Sequence, residues 1–485
     1  MGFLVQDRKD PLPVAPAAVP VADEFVKPVP IVEKIDYSGA HEKTDPREIA
    51  LVKKLDRWIM PMLFSMYFLN YLDRNAIALA RINKIEEDLN LSSIQYQTCV
   101  SILFVGYILG GVPSNMFLTR TSPRKYMAIM MVIWAAVSAL TAVSTGFVGL
   151  LLTRFFLGMT EAPFYPGAVY IIGCFYTRKE IATRIAILYT GNIAATAFAG
   201  LIAAGVFYGM DDLAGITGWQ WLFIIQGVVT AVIGIAAWWI LPDYPRNTKW
   251  LTEEERLFAY NRVELDTTEN QGEVSIWKGL SQACKDMVWV FALMAHMHLA
   301  ANGFKNFFPT VVETLGYGQT ITLVLVCPPY LIAGFSTLLV SWMSGRYNER
   351  TWHITVSKCV ATAGFIAAVA TNSVAGRYVS MIIFSIGTYA VNSLILGWCA
   401  SVCGQTKEKK AAAVSMVTTI MVSSFIWTPY LWPKSDEPRY TIALGSSAGF
   451  SMATAALAWV AKAMMTRRNR KIRQSGDETT NFYVH

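Results

Sequence analysis

Charged side chains are scarce in this sequence. Asp, Glu, Lys and Arg make up only 15% of its 485 residues, whereas 54% are hydrophobic. A soluble domain carries about 25% charged residues, so this chain lacks the polar surface that a water-soluble protein of its size needs. The composition therefore excludes an ordinary soluble domain and predicts a protein embedded in a membrane.

Two further patterns are missing. The seven cysteines, such as Cys99, Cys174 and Cys327, have neither metal-site nor disulfide spacing. We interpret them as small apolar residues that pack between helices. The N-terminus has no apolar segment of the kind found in a signal peptide. We expect residues 1–54 to be a disordered cytosolic tail, and we expect no metal, no cofactor and no nucleic-acid partner.

Apolar stretches of about 20 residues, the length that crosses a bilayer, recur along the chain. They predict an all-α membrane protein with twelve transmembrane helices, here called spans 1 to 12. The stretches are 58–79, 97–119, 126–145, 148–175, 184–208, 219–241, 286–308, 320–343, 352–371, 377–402, 411–432 and 441–465.

Lys and Arg concentrate in the loops after spans 2, 4, 8 and 10 and after span 12. The positive-inside rule places these segments, and both termini, in the cytosol. The loop after span 1 is then outside, and it holds the only Asn-x-Ser/Thr sequon, at Asn90. We expect Asn90 to be glycosylated.

The predicted domains are an N-terminal six-helix half over 55–241, a cytosolic connector over 242–285, a C-terminal half over 286–465 and a cytosolic tail over 466–485. In the connector, Thr252 and Glu255 fit a capping box that opens a short amphipathic helix. Two six-helix halves around a linker are typical of secondary transporters, whose substrate site lies between the halves.

Ionisable residues interrupt two of the spans. Span 4 contains "RFFLGMTEAPFYPG", with Arg154 and Glu161 two helical turns apart on one face, and span 1 contains Asp73 and Arg74. Each such charge costs roughly 2.5–3.5 kcal/mol at a bilayer centre, which favours a functional role. Because arginine binds carboxylates in a two-pronged geometry, Arg74 and Arg154 are the predicted anion ligands. Asp73 and Glu161 are the predicted proton-coupling groups.

Other polar residues within spans leave two interpretations open. Asn75, Tyr107, Asn192, Asn302, Asn306, Tyr389 and Asn392 either line a substrate pathway or form hydrogen bonds between helices. Of these, Asn75, Asn302 and Tyr389 are included among the predicted substrate contacts. Lys305 either snorkels to the membrane surface or serves the site. Pro328 and Pro329 predict a broken helix in span 8.

Several motifs resemble the anion:cation symporter family of the major facilitator superfamily. They are "YLDRNAIALAR", "RFFLGMTEAPFYPGAVYIIGCFYTRKE", "GWQWLFIIQG", "LPDYPRNTKWLTEEER" and "FFPTVVETLGYG". The fungal allantoate permease group, with carriers for nicotinate, pantothenate, biotin and allantoate, is the most similar branch. The resemblance implies substrate contact by Tyr71 and Arg74, proton binding by Asp73, and a second charged pair of Arg154 and Glu161.

The loop after span 2, "NMFLTRTSPR", departs from the superfamily pattern but keeps Arg120 and Arg124 as expected gating charges. The sequence thus predicts a monomeric plasma-membrane symporter of protons and a small organic anion. Export of an acidic secondary metabolite is the alternative, although span 5 lacks the proline-containing motif of the antiporters. "GSSAG" around Ser447 matches a hydrolase nucleophile motif, but it lies inside an apolar helix, so we predict no enzyme.

Overall fold

The computed structural model describes residues 45–267, 276–347, 349–403 and 407–475, and every regular element within them is a helix. The predicted spans are present as helices. They run over Pro46–Ile82 (span 1), Ser93–Arg120 (2), Pro123–Leu140 (3), Phe147–Glu161 and Phe164–Phe175 (4), Arg178–Met210 (5), Gly218–Ile240 (6), Val288–Ala301, Asn302–Asn306 and Phe308–Glu313 (7), Gln319–Leu325 and Cys327–Tyr347 (8), Thr351–Ala370 (9), Val374–Tyr389 and Asn392–Val402 (10), Lys407–Val422, Ser424–Trp427 and Thr428–Leu431 (11), and Thr441–Ser475 (12). Short helices occupy Ile85–Asp88, Thr141–Val143, Leu213–Gly215, Pro245–Asn247 and Lys434–Asp436.

Ten stretches of the described residues are long and apolar enough to cross a membrane. The remaining two predicted spans, 1 and 7, fall short for local reasons. Polar residues such as Asp73 and Arg74 lower the hydropathy of span 1. The first helix of span 7 has 14 residues and ends at Ala301. Both spans nevertheless pack inside the same bundle, span 1 against spans 5 and 6 and span 7 against spans 11 and 12.

Two helices extend beyond the predicted boundaries. Span 1 begins at Pro46, where the Asp45 side chain accepts a hydrogen bond from the Arg47 N–H at 2.8 Å, so part of the predicted tail is helical. Span 12 continues to Ser475, past the predicted end at 465. Hydropathy marks only the part of a helix that can sit in lipid, and charged ends remain helical beyond it. The rest of both predicted tails lies outside the described residues.

Each half is built from its own helix pairs. In the N-terminal half, span 2 packs on span 4, span 3 on span 6, and span 1 on spans 5 and 6. In the C-terminal half, span 9 packs on spans 10 and 12, span 8 on span 10, and span 7 on spans 11 and 12. Spans 5 and 8, 1 and 7, and 2 and 11 join the halves.

Glycines let spans 2 and 4 approach closely. A Cβ added at Gly158 would lie 1.9 Å from the Leu103 carbonyl oxygen, and one at Gly106 would lie 2.2 Å from the Phe155 carbonyl oxygen. Small residues at such positions allow helix backbones to contact in a membrane protein. This contact fixes span 4, and with it Arg154 and Glu161, against the rest of the N-terminal half.

The connector contains two helices, Glu253–Thr267 and Ile276–Lys285, here called connector helices 1 and 2. The predicted capping box forms: the Thr252 N–H donates to Glu255 at 2.9 Å, and the Glu255 N–H donates to the Thr252 hydroxyl at 3.3 Å. Lys54 of span 1 also donates to Glu255 at 2.7 Å. Burial alone would raise the pKa of Glu255, but these hydrogen bonds lower it overall.

The connector helices attach to different halves. Arg262 of connector helix 1 pairs with Glu48 at 3.2 Å and Glu180 at 3.0 Å, both in the N-terminal half. Connector helix 2 packs on span 11 of the C-terminal half. Asp286, which follows connector helix 2, pairs with Lys409 of span 11 and with Arg468 of span 12.

Hydrogen bonds between the halves gather at the end of the bundle that carries the loop between spans 1 and 2, here called the outer end. Gln97 donates to the Trp432 carbonyl at 2.8 Å, and the hydroxyls of Thr98 and Tyr430 are 3.0 Å apart. Gln319 donates to the Ile82 carbonyl at 3.3 Å. These contacts close the outer end of the interface between the halves.

Candidate functional site

A cavity of about 240 Å³ lies between the two halves. Residues of spans 1, 2, 4 and 5 form one wall, and residues of spans 7, 10 and 11 form the other. The volume is below the roughly 300–1,000 Å³ typical of drug-sized ligands, so the cavity suits a small solute. Breaks in spans 4, 7 and 10 place polar side chains on its walls.

Span 1 supplies the most polar part of the wall. Tyr71, Arg74 and Asn75 line the cavity, as predicted for substrate contacts. The Arg74 guanidinium lies over the rings of Tyr71 and Tyr107, 5.2 and 4.6 Å from their centres. Cation–π contacts of this kind hold the guanidinium in position and leave its N–H groups, which point outward in the plane of the guanidinium, able to donate to carboxylates.

The only direct ion pair on the cavity wall within the described residues joins spans 1 and 4. Arg74 Nε donates to Glu161 Oε2 at 2.6 Å, and the Glu161 side chain has no solvent exposure. Glu161 is the last residue of the first helix of span 4, which breaks at Ala162 and Pro163. The other oxygen, Oε1, lies near the Asn70 amide without a well-formed hydrogen bond.

The other two predicted charges, Asp73 and Arg154, lie deeper. Asp73 is fully buried behind the cavity wall, where Ser138 of span 3 donates to its Oδ1 at 3.0 Å. Arg154 is also fully buried; its Nη1 donates to the Asp73 carbonyl at 3.4 Å, and its guanidinium lies 5.0 Å from the centre of the Phe223 ring. Its Nε and Nη2 have no hydrogen-bond partner among the described residues.

Arg154 and Glu161, the second charged pair that the resemblance implies, are not in direct contact within the described residues. Seven residues along one helix separate two Cα atoms by roughly 10 Å, whereas Arg74 reaches Glu161 from the neighbouring span. Adjacent residues point to different sides of a helix, which is why Arg74 faces the cavity and Asp73 faces span 3. The four predicted charges thus form one cluster between spans 1 and 4, in which Arg74 pairs with Glu161 and Arg154 contacts the backbone of Asp73.

Span 7 forms much of the opposite wall. Its first helix ends at Ala301, and the following 3₁₀ turn, Asn302–Asn306, brings Asn302, Lys305 and Asn306 to the cavity. Asn302 Nδ2 donates to the His298 carbonyl at 3.1 Å. The Lys305 ammonium lies 4.5 Å from the centre of the Phe425 ring. Lys305 therefore faces the cavity and does not snorkel to the membrane surface.

The break in span 10 brings two further predicted residues to the cavity. Tyr389 ends one helix of this span, and Asn392 begins the next. Asn392 Nδ2 donates to the Tyr189 hydroxyl of span 5 at 3.4 Å, so this residue both lines the cavity and joins the halves. Tyr107 and Asn192 also lie on the wall.

The sequence analysis missed Tyr67 and Asn70 of span 1, Tyr165 of span 4 and Tyr189 of span 5, all of which line the cavity. Tyr67, Asn70 and Arg74 recur every three to four residues and therefore share one helix face. That spacing could have identified the two residues of span 1. No comparable signal marks Tyr165 or Tyr189.

Two predicted residues, Arg124 and Asn90, lie away from the cavity. The Arg124 N–H donates to Asp243 at 3.1 Å, and its Nε lies 3.6 Å from the same carboxylate, which ties the loop after span 2 to the end of span 6. The side chain of Arg120 lies outside the described residues. Asn90 is exposed at the outer end, with a left-handed φ of 49° that asparagine tolerates.

Ser447, the centre of the hydrolase-like motif, is buried within span 12 and donates to the Ala443 carbonyl at 2.8 Å. The strand-to-helix turn that exposes a catalytic serine is therefore not formed at this motif.

Residues 63–429 match the Major Facilitator Superfamily. The chain is 32% identical over 362 residues to the MFS transporter prlL of Fungal sp. (strain NRRL 50135), covering 73% of each chain. It is 31% identical over 362 residues to the major facilitator-type transporter hxnP of Emericella nidulans, covering 72% of each chain. It is 30% identical over 454 residues to the MFS-type transporter cnsO of Penicillium expansum, covering 90% of this chain and 86% of the relative.

Solved structures agree on the fold. A D-xylose–proton symporter superimposes with a TM-score of 0.66 at 13% identity, covering 83% of this chain and 96% of the symporter. A bacterial homologue of the human lysosomal transporter Spinster superimposes with a TM-score of 0.62 at 17% identity, covering 87% and 96%. Together with the helical bundle and its cavity, these matches establish that the chain belongs to the Major Facilitator Superfamily, as a multi-pass membrane transporter and not an enzyme.

Proposed function

We propose that the protein is a symporter that imports a small organic anion together with protons across the plasma membrane. The observation that carries this proposal is the hydrogen-bonded pair of Arg74 and Glu161 on the cavity wall. An arginine that can bind a carboxylate substrate is here bonded to a carboxylate of the protein.

This arrangement makes the proton and the anion depend on each other. When Glu161 is protonated it loses its negative charge, and Arg74 becomes free to bind the carboxylate of a substrate. When the substrate leaves, Arg74 again attracts the ionised form of Glu161, which favours release of the proton. Competition for Arg74 thus couples the two movements without a rigid mechanical link.

Asp73 and Arg154 have supporting roles in this proposal. Asp73 is a second proton-binding group behind the wall, held by Ser138. Arg154 lies on the cavity wall next to this group, and its positive charge favours the binding of an anion. Asn75, Asn302 and Tyr389 line the cavity within reach of a bound solute and provide hydrogen-bonding groups for its uncharged parts.

The closed outer end supports transport by alternating access. The bonds of Gln97 and Thr98 to span 11 hold the halves together on one side of the cavity. We interpret this conformation as inward-facing, with both termini in the cytosol. Import is favoured over export because span 5 is one continuous helix, Arg178–Met210, without the proline of the antiporter motif.

The sequence motifs support placing the protein in the fungal allantoate permease group of anion:cation symporters, and we propose that it acts as a monomer. Those motifs imply a substrate ligand at Arg74 and proton-binding residues at Asp73 and Glu161. A vitamin, a ureide or an amino-acid-like carboxylate is the class of substrate that this group implies.

Uptake of radiolabelled organic acids by cells that express the protein, at about pH 5 and about pH 7.5, tests the proposal. We expect uptake to rise several-fold at the acidic pH. Glu161→Gln should transport without pH dependence, and Arg74→Ala should not transport. Glu254→Gln, which changes an exposed carboxylate of the connector, is the matched control and should behave like the unmodified protein. Outward movement of a preloaded acid, with no acid-stimulated uptake, would favour the exporter instead.

A further inference from the structure

The cavity wall carries more positive than negative charge. Among the described residues that line it, Arg74, Arg154 and Lys305 are cationic and Glu161 is the only carboxylate. Even when Asp73, behind the wall, is included, one positive charge remains in excess. An uncompensated charge in a site of low dielectric constant is unfavourable, so this excess positive charge favours the binding of an anion in the cavity.

Among the described residues, Arg74 is the one cavity-lining cation that is bonded to a carboxylate, that of Glu161. Arg154 is fully buried and donates to the backbone carbonyl of Asp73, and Lys305 is the cation of the opposite wall. The ammonium of Lys305 contacts the Phe425 ring, and no carboxylate of the described residues lies within 4 Å of it. A lysine held by an aromatic ring and pointed into a cavity can bind an anionic group of a ligand.

Arg74 and Lys305 belong to opposite halves of the molecule and face the same cavity. After Glu161 takes up a proton, both cations are available to a substrate. A monocarboxylate satisfies one of them, whereas a solute with two anionic groups satisfies both. Such a solute also connects the two halves, so it stabilises the conformation in which they close around it.

We propose that the preferred substrate is a small dianion, such as a dicarboxylate, with one anionic group on Arg74 and the other on Lys305. This inference rests on the proposed function and specifies its substrate class. The aromatic rings of Tyr71, Tyr107 and Phe425, which hold the two cations, also suit a flat or apolar spacer between the anionic groups.

Binding to purified protein tests this inference with pairs of ligands that differ by one charge. The probes are succinate, fumarate and terephthalate, each compared with its monomethyl ester. We expect at least one dianion to bind about tenfold more tightly than its ester, a difference of about 1.4 kcal/mol. Lys305→Met should abolish this difference while it retains binding of the ester, and Lys305→Arg should preserve the difference.

The outcomes separate the two proposals. Equal affinity for every dianion and its ester, or an unchanged difference in Lys305→Met, would overturn the role of Lys305 while the anion symport proposal stands. If neither the unmodified protein nor Arg74→Ala binds any of the anions, both the anion symport proposal and the role of Lys305 are overturned. Binding of the ester by Lys305→Met shows that this variant is folded.

Discussion

At the scale of single residues, the neighbours Asp73 and Arg74 have separate surroundings. Arg74 faces the cavity, and Asp73 is buried against span 3 with Ser138 as its hydrogen-bond donor. A substitution of Asp73, the proposed proton-binding group, therefore removes no side chain from the cavity wall. This separation allows anion binding and proton coupling to be measured independently.

Replacing Asp73 with Asn should leave equilibrium binding of the anion nearly unchanged and abolish its accumulation against a gradient. Arg74→Ala should instead weaken binding by roughly 10- to 100-fold, because charge-assisted hydrogen bonds contribute about 1.5–3 kcal/mol. Binding to purified protein and uptake into proteoliposomes provide the two measurements. Ser138→Ala, which removes only the donor to Asp73, is the control and should have a smaller effect on uptake. Loss of binding in Asp73→Asn would contradict this assignment.

The sequence already indicated several side chains that line the cavity, because Arg74, Glu161 and Asn302 interrupt apolar runs. It could not indicate that Arg74 pairs with Glu161, since that contact depends on the relative rotation of spans 1 and 4. The direction of Lys305 was equally hidden. It depends on the 3₁₀ turn after Ala301, which no proline marks.

At the scale of helices, the breaks determine what reaches the cavity. Proline lies at four of them: Pro163 in span 4, Pro309 in span 7, Pro328 in span 8 and Pro429 in span 11. The break after Ala301 in span 7 and the break in span 10 contain no proline. Helix number and approximate position could therefore be predicted, whereas the local geometry of the C-terminal wall required the structure.

The close contact of spans 2 and 4 gives a prediction at this scale. Gly158→Ala should prevent correct packing, because its Cβ would lie 1.9 Å from the Leu103 carbonyl oxygen and the backbones would have to separate. The yield of monodisperse protein after detergent extraction measures the effect and should fall severalfold or more. Gly173→Ala in the same span is the matched control, since a Cβ there meets no atom within 4 Å. Equal yields for the two variants would show that spans 2 and 4 are less closely packed than described.

At the scale of the whole molecule, closure of the outer end depends on few polar bonds. Gln97→Leu combined with Tyr430→Phe removes two hydrogen bonds between spans 2 and 11, each worth roughly 0.5–1.5 kcal/mol. The population open at the outer end should therefore rise about tenfold. Cys99, which is buried on the cavity wall, reports this opening when a membrane-impermeant maleimide is added from outside.

That experiment uses a background in which the exposed Cys284 and Cys359 are replaced by Ser. Cys99→Ser identifies the reacting thiol, and Tyr347→Phe, an exposed tyrosine of span 8, is the control for loss of a hydroxyl. Faster labelling of Cys99 in the double variant alone is the expected result. Unchanged labelling would mean that apolar contacts, such as the stacked rings of Phe307 and Trp432, close the outer end by themselves.

The topology gives a separate prediction. Asn90 is exposed in the loop between spans 1 and 2, so an outward-facing loop makes it available for glycosylation. Asn90→Gln should remove a glycosidase-sensitive increase in apparent mass on electrophoresis of the protein from a eukaryotic host. Asn372→Gln, in the loop between spans 9 and 10 and outside any sequon, should leave the mass unchanged. If the unmodified protein shows no glycosidase-sensitive mass, the prediction for Asn90 is wrong.

The two connector helices offer a direct readout of how the transporter works. Connector helix 1 is fixed to the N-terminal half by Arg262 and Glu255, whereas connector helix 2 packs on span 11. A fluorophore on each, for example at exposed Leu257 and at exposed Lys285, would therefore follow a different half. Energy transfer between the two dyes would then register each cycle of rocking in single molecules, without any label near the substrate.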